Sequence, residues 1–300
     1  MRVGYLGPAG THSEEALRTS APFDVEEVPY STIRDAVMAV QDGAVDRAVV
    51  PIENALEGAV AVTLDTLALE ADRVRIAAEV VHPIHHCLVA AHSLRLEDVT
   101  RVVSHPQAAA QCARFLRERL PHAERVVAPS TADAVISVRR GREPAVALGS
   151  RLAADLYDCV VLAENVEDHP DNATRFVWLA PADAVSDPCR DAKTSVVFWG
   201  GGDRSPGWLV GVLREFSDRG VNLTRIESRP RRAQLGHYMF FADLEGAEGR
   251  PPVSEALAAL RGRVEAIRVL GCYGSTGGAS GYTGRDRGSM RGPHLLSRGG

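Results

Sequence analysis

The chain has 300 residues, 45% hydrophobic and 24% charged, with a formal net charge of -5. That length suggests about two domains of roughly 100–200 residues each. The acidic balance, with no stripe of Lys and Arg among aromatics, excludes a nucleic-acid footprint, and no run approaches the ~20 apolar residues that span a bilayer.

From the N-terminus to about residue 181, apolar runs at 3–6, 47–52, 74–80, 86–90, 102–103, 145–148 and 176–179 read as strands. Between them, helix-period apolar residues recur at 14–18, 32–42, 62–69, 107–120, 131–139 and 151–156. This alternation predicts α/β layers with mostly parallel strands. Residues 181–192 are polar and Pro-containing and read as a linker. Beyond it the order is strand 194–199, helix 207–219, strands 222–228 and 238–243, helix 253–260 and strand 264–270, a ferredoxin-like βαββαβ arrangement. After Tyr273 the composition collapses into Gly, Ser and Arg, too poor in apolar side chains to offset its ordering entropy, which predicts a disordered tail over 274–300.

Several polar clusters interrupt the apolar runs, where burying a polar group without a partner costs roughly 1–3 kcal/mol. Gly7-Pro8-Ala9-Gly10 leads into Thr11-His12-Ser13-Glu14, whose Thr-x-x-Glu spacing predicts a reciprocal capping box. Gly10 and Thr11 there can bring a ligand to a helix N-terminus. Pro51-Ile52-Glu53-Asn54 closes a strand, the position where ligands sit in open α/β sheets, although a turn with Asn54 bonded to its own backbone explains the spacing equally well. Ser104-His105-Pro106-Gln107 repeats the capping spacing, so Ser104 and Gln107 read as caps. Gln111 shares a helix face with Gln107 and is not explained by capping.

In Asn172-Ala173-Thr174-Arg175-Phe176, strand alternation puts Thr174 and Phe176 on one face and Arg175 on the other. An edge-strand Thr beside a salt-bridged Arg is the plain alternative. Glu227-Ser228-Arg229-Pro230 ends a strand and Pro206-Gly207-Trp208-Leu209 opens the preceding helix, so both can border one pocket. His82-Pro83-Ile84-His85-His86-Cys87 lacks helical His spacing and reads as a lobe crossing rather than a metal site. Cysteines at 87, 112, 159, 189 and 272 are scattered without CxxC spacing and read as reduced thiols.

In chain order, Gly4-Tyr5-Leu6-Gly7-Pro8, Pro51-Ile52-Glu53-Asn54, Ser104-His105-Pro106-Gln107, Thr174-Arg175-Phe176 and Glu227-Ser228-Arg229-Pro230 resemble the prephenate dehydratase family over almost the whole chain. The resemblance implies an α/β catalytic domain over 1–181, similar to the type II periplasmic-binding-protein fold, with one lobe at about 1–78 and 160–181 and the other at about 79–159. It implies an ACT regulatory domain over 193–273. The implied reaction is decarboxylating dehydration of prephenate to phenylpyruvate, without cofactor or metal, in the cytoplasm and without a nucleic-acid or membrane partner.

Thr174, Asn54, Ser104, Gln111 and Glu53 are then the catalytic candidates, and Gly10, Thr11, Arg175 and Phe176 the substrate-binding ones. A phenylalanine effector site is expected at Gly207, Trp208, Leu209, Asn222, Leu223, Glu227, Ser228 and Arg229, in a homodimer or homotetramer. The chain departs from the family at His12, usually Phe, at Ala55, usually Ser or Thr, and at Trp208, usually a small Ala. An indole adds about 150–250 Å² of surface to bury, so Trp208 is expected to narrow or plug the effector pocket. Rival readings are an arogenate dehydratase, a decarboxylase-like relative, and a non-catalytic sensor of amino acids or small acids.

Overall fold

The computed structural model describes residues 1–22, 24–183, 191–200, 202, 205–232 and 236–274. In chain order, β1 (Arg2–Leu6), α1 (His12–Ser20), β2 (Glu26–Tyr30), α2 (Ile33–Gln41), β3 (Arg47–Asn54), β4 (Gly58–Ala59), α3 (Ala61–Leu69) and β5 (Val74–Pro83) build a first lobe. The second lobe holds β6 (Cys87–Ala90), β7 (Arg101–Ser104), α4 (Pro106–Gln111), α5 (Ala113–Arg119), β8 (Glu124–Val127), α6 (Thr131–Arg140), β9 (Ala145–Gly149), α7 (Arg151–Leu156) and β10 (Val160–Ala163). The chain then returns to the first lobe through β11 (Ala173–Pro181).

The first sheet runs β2-β1-β3-β11-β5, with β4 on β3, and the second β10-β6-β9-β7-β8. Both are mixed, contrary to the expectation of mostly parallel strands. β1 is parallel to β2 and β3, but β11 enters from the other lobe and runs antiparallel to β3 and β5. In the second sheet, β7 is parallel to β8 and β9, while β6 is antiparallel to β9 and β10. The lobe limits also shift: β5 stays in the first sheet through Pro83 and β10 belongs to the second, so the crossings fall at 84–86 and 164–172. The second sheet is covered on both faces, Leu88, Val102 and Leu148 packing on one side and Val89, Val103 and Ala147 on the other. Such strands read as continuous apolar runs.

Of the strands that sequence patterning passes over, β2, β8 and β10 are sheet edges, and the two-residue β4 lies off the main order against β3. Half-solvated edges tolerate charge and proline, as in Glu26-Glu27-Val28-Pro29-Tyr30, which hides the strand signal. The helix expected over 107–120 breaks at Cys112, whose φ of -114° and ψ of 22° are non-helical.

β12 (Ala192–Trp199), α8 (Trp208–Ser217), β13 (Leu223–Pro230), β14 (Tyr238–Glu245), α9 (Val253–Arg261) and β15 (Ala266–Gly274) form an antiparallel sheet, β13-β14-β12-β15, with its helices packed together on one face. The other face joins the first lobe's core: Val197, Met239, Phe241, Leu270 and Tyr273 share one apolar cluster with Val37, Leu64 and Ile76. At this junction β15 approaches so closely that a Cβ on Gly271 would lie 2.2 Å from the Ile76 carbonyl oxygen, so only glycine fits. Arg268 reaches across to the carbonyl oxygens of Leu67, at 2.8 Å, and Ala71 near the end of α3. Gly274 closes β15 rather than opening a tail, and residues 275–300, residues 184–190 of the expected linker and Cys189 lie outside the described residues. Cys87, Cys112, Cys159 and Cys272 are free thiols.

Candidate active site

A cleft of ≈ 810 Å³ lies between the lobes, lined by Leu6 and the 7–9 turn after β1, by Asn54, and by Thr174 and Phe176 of β11. Residues at the starts of α1, α2, α3 and α6 also line it: Thr11 to Ser13, Ser31 and Ile33, Val60, and Ser130 and Thr131. The positive ends of several helix dipoles therefore converge on a space whose described lining contains no Lys or Arg and a single carboxylate, Asp133. Two of these starts are sealed by their own side chains, Thr32 Oγ1 accepting from Asp35 N at 3.0 Å and Ser130 Oγ from Asp133 N at 2.9 Å. The start of α1 is not. Thr11 donates its hydroxyl to Leu6 O at 2.7 Å and makes no cap bond, while Glu14 accepts from Gly10 N at 2.5 Å, one residue before the cap, so neither half of the expected reciprocal box forms.

Asn54 and Thr174 are register partners on adjacent antiparallel strands. Asn54 Nδ2 donates to Thr174 Oγ1 at 2.9 Å and to Asn172 Oδ1 at 3.0 Å, while Asn54 Oδ1 accepts from the backbone N–H of Leu56 and Glu57. The self-bonded turn and the reach toward Thr174 are thus both present. Gln111 Oε1 accepts from Asn172 Nδ2 at 3.3 Å and from His86 Nε2 at 3.0 Å. Because the Gln oxygen only accepts, His86 carries its proton on Nε2, and its Nδ1 is buried without a partner among the described residues. Burial, with the nearby His12 ring adding, pushes the His86 imidazole down to about 4, so it is neutral. Asn54, Thr174, Asn172, Gln111 and His86 are all buried. Sequence reasoning missed Asn172 and His86. Asn172 was visible only as the lead-in to the Thr-Arg-Phe run, and His86 was absorbed into the lobe crossing. That crossing is pinned by Glu167, which accepts from His85 Nδ1 at 2.8 Å and His86 N at 2.9 Å. Burial alone would raise the Glu167 carboxyl, but these hydrogen bonds hold it below the usual range.

Four expected site residues lie elsewhere. Strand alternation turns Glu53 and Arg175 to the face opposite Asn54 and Thr174, toward the C-terminal domain. Arg175 pairs there with Asp243 at 2.7 Å, Glu79 at 3.5 Å and Glu53 at 3.6 Å, so it is not a cleft ligand. Ser104 donates to His105 O at 2.9 Å and is not among the cleft-lining residues; the cap of α4 is His105 Nδ1, which accepts from Gln107 N at 3.3 Å. Gly10, at φ +90°, is pressed against the other lobe: a Cβ would lie 2.9 Å from Ala153 Cα, and its carbonyl oxygen accepts from Ser150 Oγ at 2.7 Å. Tyr157 OH donates to Ala9 O at 2.7 Å beside it. Thr11, Phe176, Gln107 and Gln111 do line the cleft.

In the C-terminal domain, Gly207, Trp208 and Leu209 line a cavity of ≈ 220 Å³ with Gly202, Tyr238 and Phe240. Trp208 fills one wall, 5.9 Å from the Phe240 ring, with Nε1 donating to Arg263 O at 3.1 Å. Asn222, Leu223, Glu227, Ser228 and Arg229 do not line it. Arg229 instead binds the buried Asp65 of α3 at 2.9 Å and 3.2 Å, joined by Arg232 at 2.7 Å. Among the described residues, one trio has ligand atoms close enough for a metal ion, His12, Glu15 and His82, mutually within 4.8 Å.

A sequence model of the prephenate dehydratase family matches residues 3–184, and one of the ACT domain matches residues 194–262. A prephenate dehydratase of Amycolatopsis methanolica is 38% identical over 280 residues, which are 93% of this chain and 90% of that one. The solved prephenate dehydratase of Arthrobacter aurescens, in complex with L-Phe, is 37% identical with a TM-score of 0.85, covering 92% of this chain and 90% of that one. GqqA, described as a novel type of quorum quenching acylase, is 32% identical with a TM-score of 0.83, covering 92% of this chain and 99% of that one. The two-lobed cleft, the ferredoxin-like C-terminal domain and these matches agree: the chain belongs to the prephenate dehydratase family.

Proposed function

We propose that the protein converts prephenate to phenylpyruvate, with Thr174 assisting the leaving hydroxyl. The substrate is a cyclohexadienol carrying two carboxylates. Its ring C–carboxylate bond breaks, the electron pair enters the ring, and the hydroxyl at the opposite ring carbon departs with one added proton, so prephenate dianion and a proton give phenylpyruvate, carbon dioxide and water. Aromatisation drives the step, and the site must orient the dianion and stabilise the departing oxygen.

The observation that carries this reading is the 2.9 Å hydrogen bond from Asn54 Nδ2 to Thr174 Oγ1. With one lone pair taken by the amide, the hydroxyl proton has no partner among the described residues and can be donated to the leaving group. Threonine is a poor acid by pKa, so its role is a hydrogen bond to developing hydroxide, with the amides of Asn54, Asn172 and Gln111 fixing geometry. Converging helix starts supply the positive potential for the carboxylates. An acyl-transfer reading asks for a hydroxyl that gives its proton to a base, whereas Thr174 here accepts from an amide.

Phenylalanine is the effector in this reading, at the C-terminal domain, in a homodimer or homotetramer. No helix among the described residues is long and apolar enough to cross a membrane. A cytoplasmic location belongs to the same reading. Incubating the purified protein with prephenate, with arogenate, and with prephenate plus phenylalanine tests all of this. Phenylpyruvate formed from prephenate and suppressed by phenylalanine is expected. A non-aromatic product, or phenylalanine formed from arogenate alone, would overturn the substrate and reaction assigned.

A further inference from the structure

Regular alternation along β3 would carry Pro51 and Glu53 to one face and Ile52 and Asn54 to the other. The structure breaks that pattern, because Pro51 and Asn54 both line the cleft. The cause lies in the pairing with β11: Thr174 faces Asn54, Arg175 faces Glu53 and Phe176 faces Pro51, so Ile52 is skipped. β11 pairs with β5 over the same stretch without a shift, which places the extra residue in β3. Such a bulge reverses the facing of the residues beyond it. Without it, Glu53 would stand opposite Thr174 and bring a carboxylate to a dianion site, while Asn54 would turn away. The bulge is held from two sides. Its carbonyl oxygens are taken by the start of α3, Ile52 O accepting from Val60 N at 2.9 Å and Pro51 O from the buried Thr63 hydroxyl at 2.5 Å. On the outer face, Glu53 is gripped by Arg175 at 3.6 Å and by Arg225 of β13 at 3.5 Å. The Arg225 side chain is 8% exposed, and Glu53 is its one ion-pair partner among the described residues.

We propose that Arg225 is a positioning residue for the reaction: reaching from the C-terminal domain, it holds Glu53 on the outer face and so keeps Asn54 beside the Thr174 hydroxyl. This rests on the reading of Thr174 as the group that assists the leaving hydroxyl. Arg225 does not line the cleft. It acts through the one carboxylate that a slip of a single residue would turn inward. A nearly buried guanidinium with one counter-ion resists that slip, because releasing Glu53 would leave its charge unpaired. The C-terminal domain therefore supplies part of the geometry around Thr174.

The test is kcat for prephenate in Arg225→Gln, Arg225→Lys, Glu53→Gln and Thr174→Ala, in Arg225→Gln combined with each of the last two, and in Glu53→Gln combined with Thr174→Ala. Urea unfolding confirms that each protein is folded. Arg225→Gln and Glu53→Gln are each expected to lower kcat about tenfold, since misplacing a reacting group by ~1 Å can cost on the order of 100-fold. Arg225→Lys, which keeps the charge, should recover most of the loss. Arg225→Gln should cost nothing further on top of Glu53→Gln or Thr174→Ala, because the three residues act in series. A merely structural arginine would instead lower the Thr174→Ala rate by the same factor as the wild-type rate. That multiplication, or an unchanged kcat in both Arg225→Gln and Glu53→Gln, overturns this proposal alone. If Arg225→Gln does not fold, Glu53→Gln with and without Thr174→Ala decides by the same comparison. Near-normal kcat in Thr174→Ala, or no wild-type turnover of prephenate, overturns the reading of Thr174 and this proposal with it.

Discussion

The two faces of the β3–β11 pair carry opposite chemistries within one residue step. On the cleft face, Asn54 and Thr174 belong to a neutral set of amides and hydroxyls, with a proton and the His86 Nδ1 lacking partners among the described residues. On the face toward the C-terminal domain, Glu53 and Arg175 enter a buried set of charges: Arg175 on Asp243, Glu79 on Lys193 at 2.7 Å and Arg225 on Glu53 at 3.5 Å. Asp243 also accepts from Ser195 Oγ at 2.6 Å. Buried charge must be paired and hydrogen-bonded because leaving it alone is expensive, whereas a neutral donor can stay available at lower cost. Polarity therefore marks both faces, and what distinguishes them is charge. Neutral groups line the cleft side, and paired ions fill the other, with one guanidinium nitrogen each of Arg175 and Arg225 lacking a hydrogen bond among the described residues.

The sharpest way to break this contrast is to remove a charge from the paired face. Arg175→Met leaves Asp243 and Glu79 buried without their guanidinium and is expected to lose about 3–5 kcal/mol in urea unfolding. A loss under about 1 kcal/mol would mean that this face is not held by charge pairing. On the open face the effect should appear in rate instead. Thr174→Ala is expected to lower kcat about 100- to 1000-fold with little change in KM or unfolding midpoint, and a near-normal kcat would remove Thr174 from the chemistry.

Acid titration sharpens the contrast further. The unfolded chain protonates His86 as pH falls through its ordinary 6.5, while the folded protein resists until about 4. This contribution is present above about pH 6.5 and is lost progressively toward pH 4, on the order of 3 kcal/mol in all. Comparing unfolding free energies of wild type and His86→Gln across that window checks it, and parallel curves would clear His86. The smallest effect concerns the effector cavity: Trp208→Ala is expected to let phenylalanine inhibit at about tenfold lower concentration. Equally tight inhibition in both proteins would reject a plugging role for Trp208.

Much of the fold was legible because buried strands and amphipathic helices leave strong periodic signals, as at 145–148 and 32–42. The edges were not, since β2, β8 and β10 are partly solvated and carry mixed residues. In the site, the sequence motifs located Asn54, Gln111 and Thr174, but nearest neighbours in sequence were swept in with them. Glu53, Arg175 and Ser104 accompany true cleft residues along the chain, and the period-two geometry of strands or a local backbone bond turns them away. Asn172 and His86 stayed hidden because their partners are distant in sequence: Asn54 and Gln111 reach Asn172 from 118 and 61 positions away.

The Gly10 contact has a dynamic consequence. Two-lobed receptors trap their ligands by swinging shut, but here the rims are tied at separate places: Ser150 and Tyr157 fasten α7 and its end to the 9–10 turn, and Glu167 fastens the hinge strands. Parting the lobes at that edge would have to break both of the bonds to the 9–10 turn.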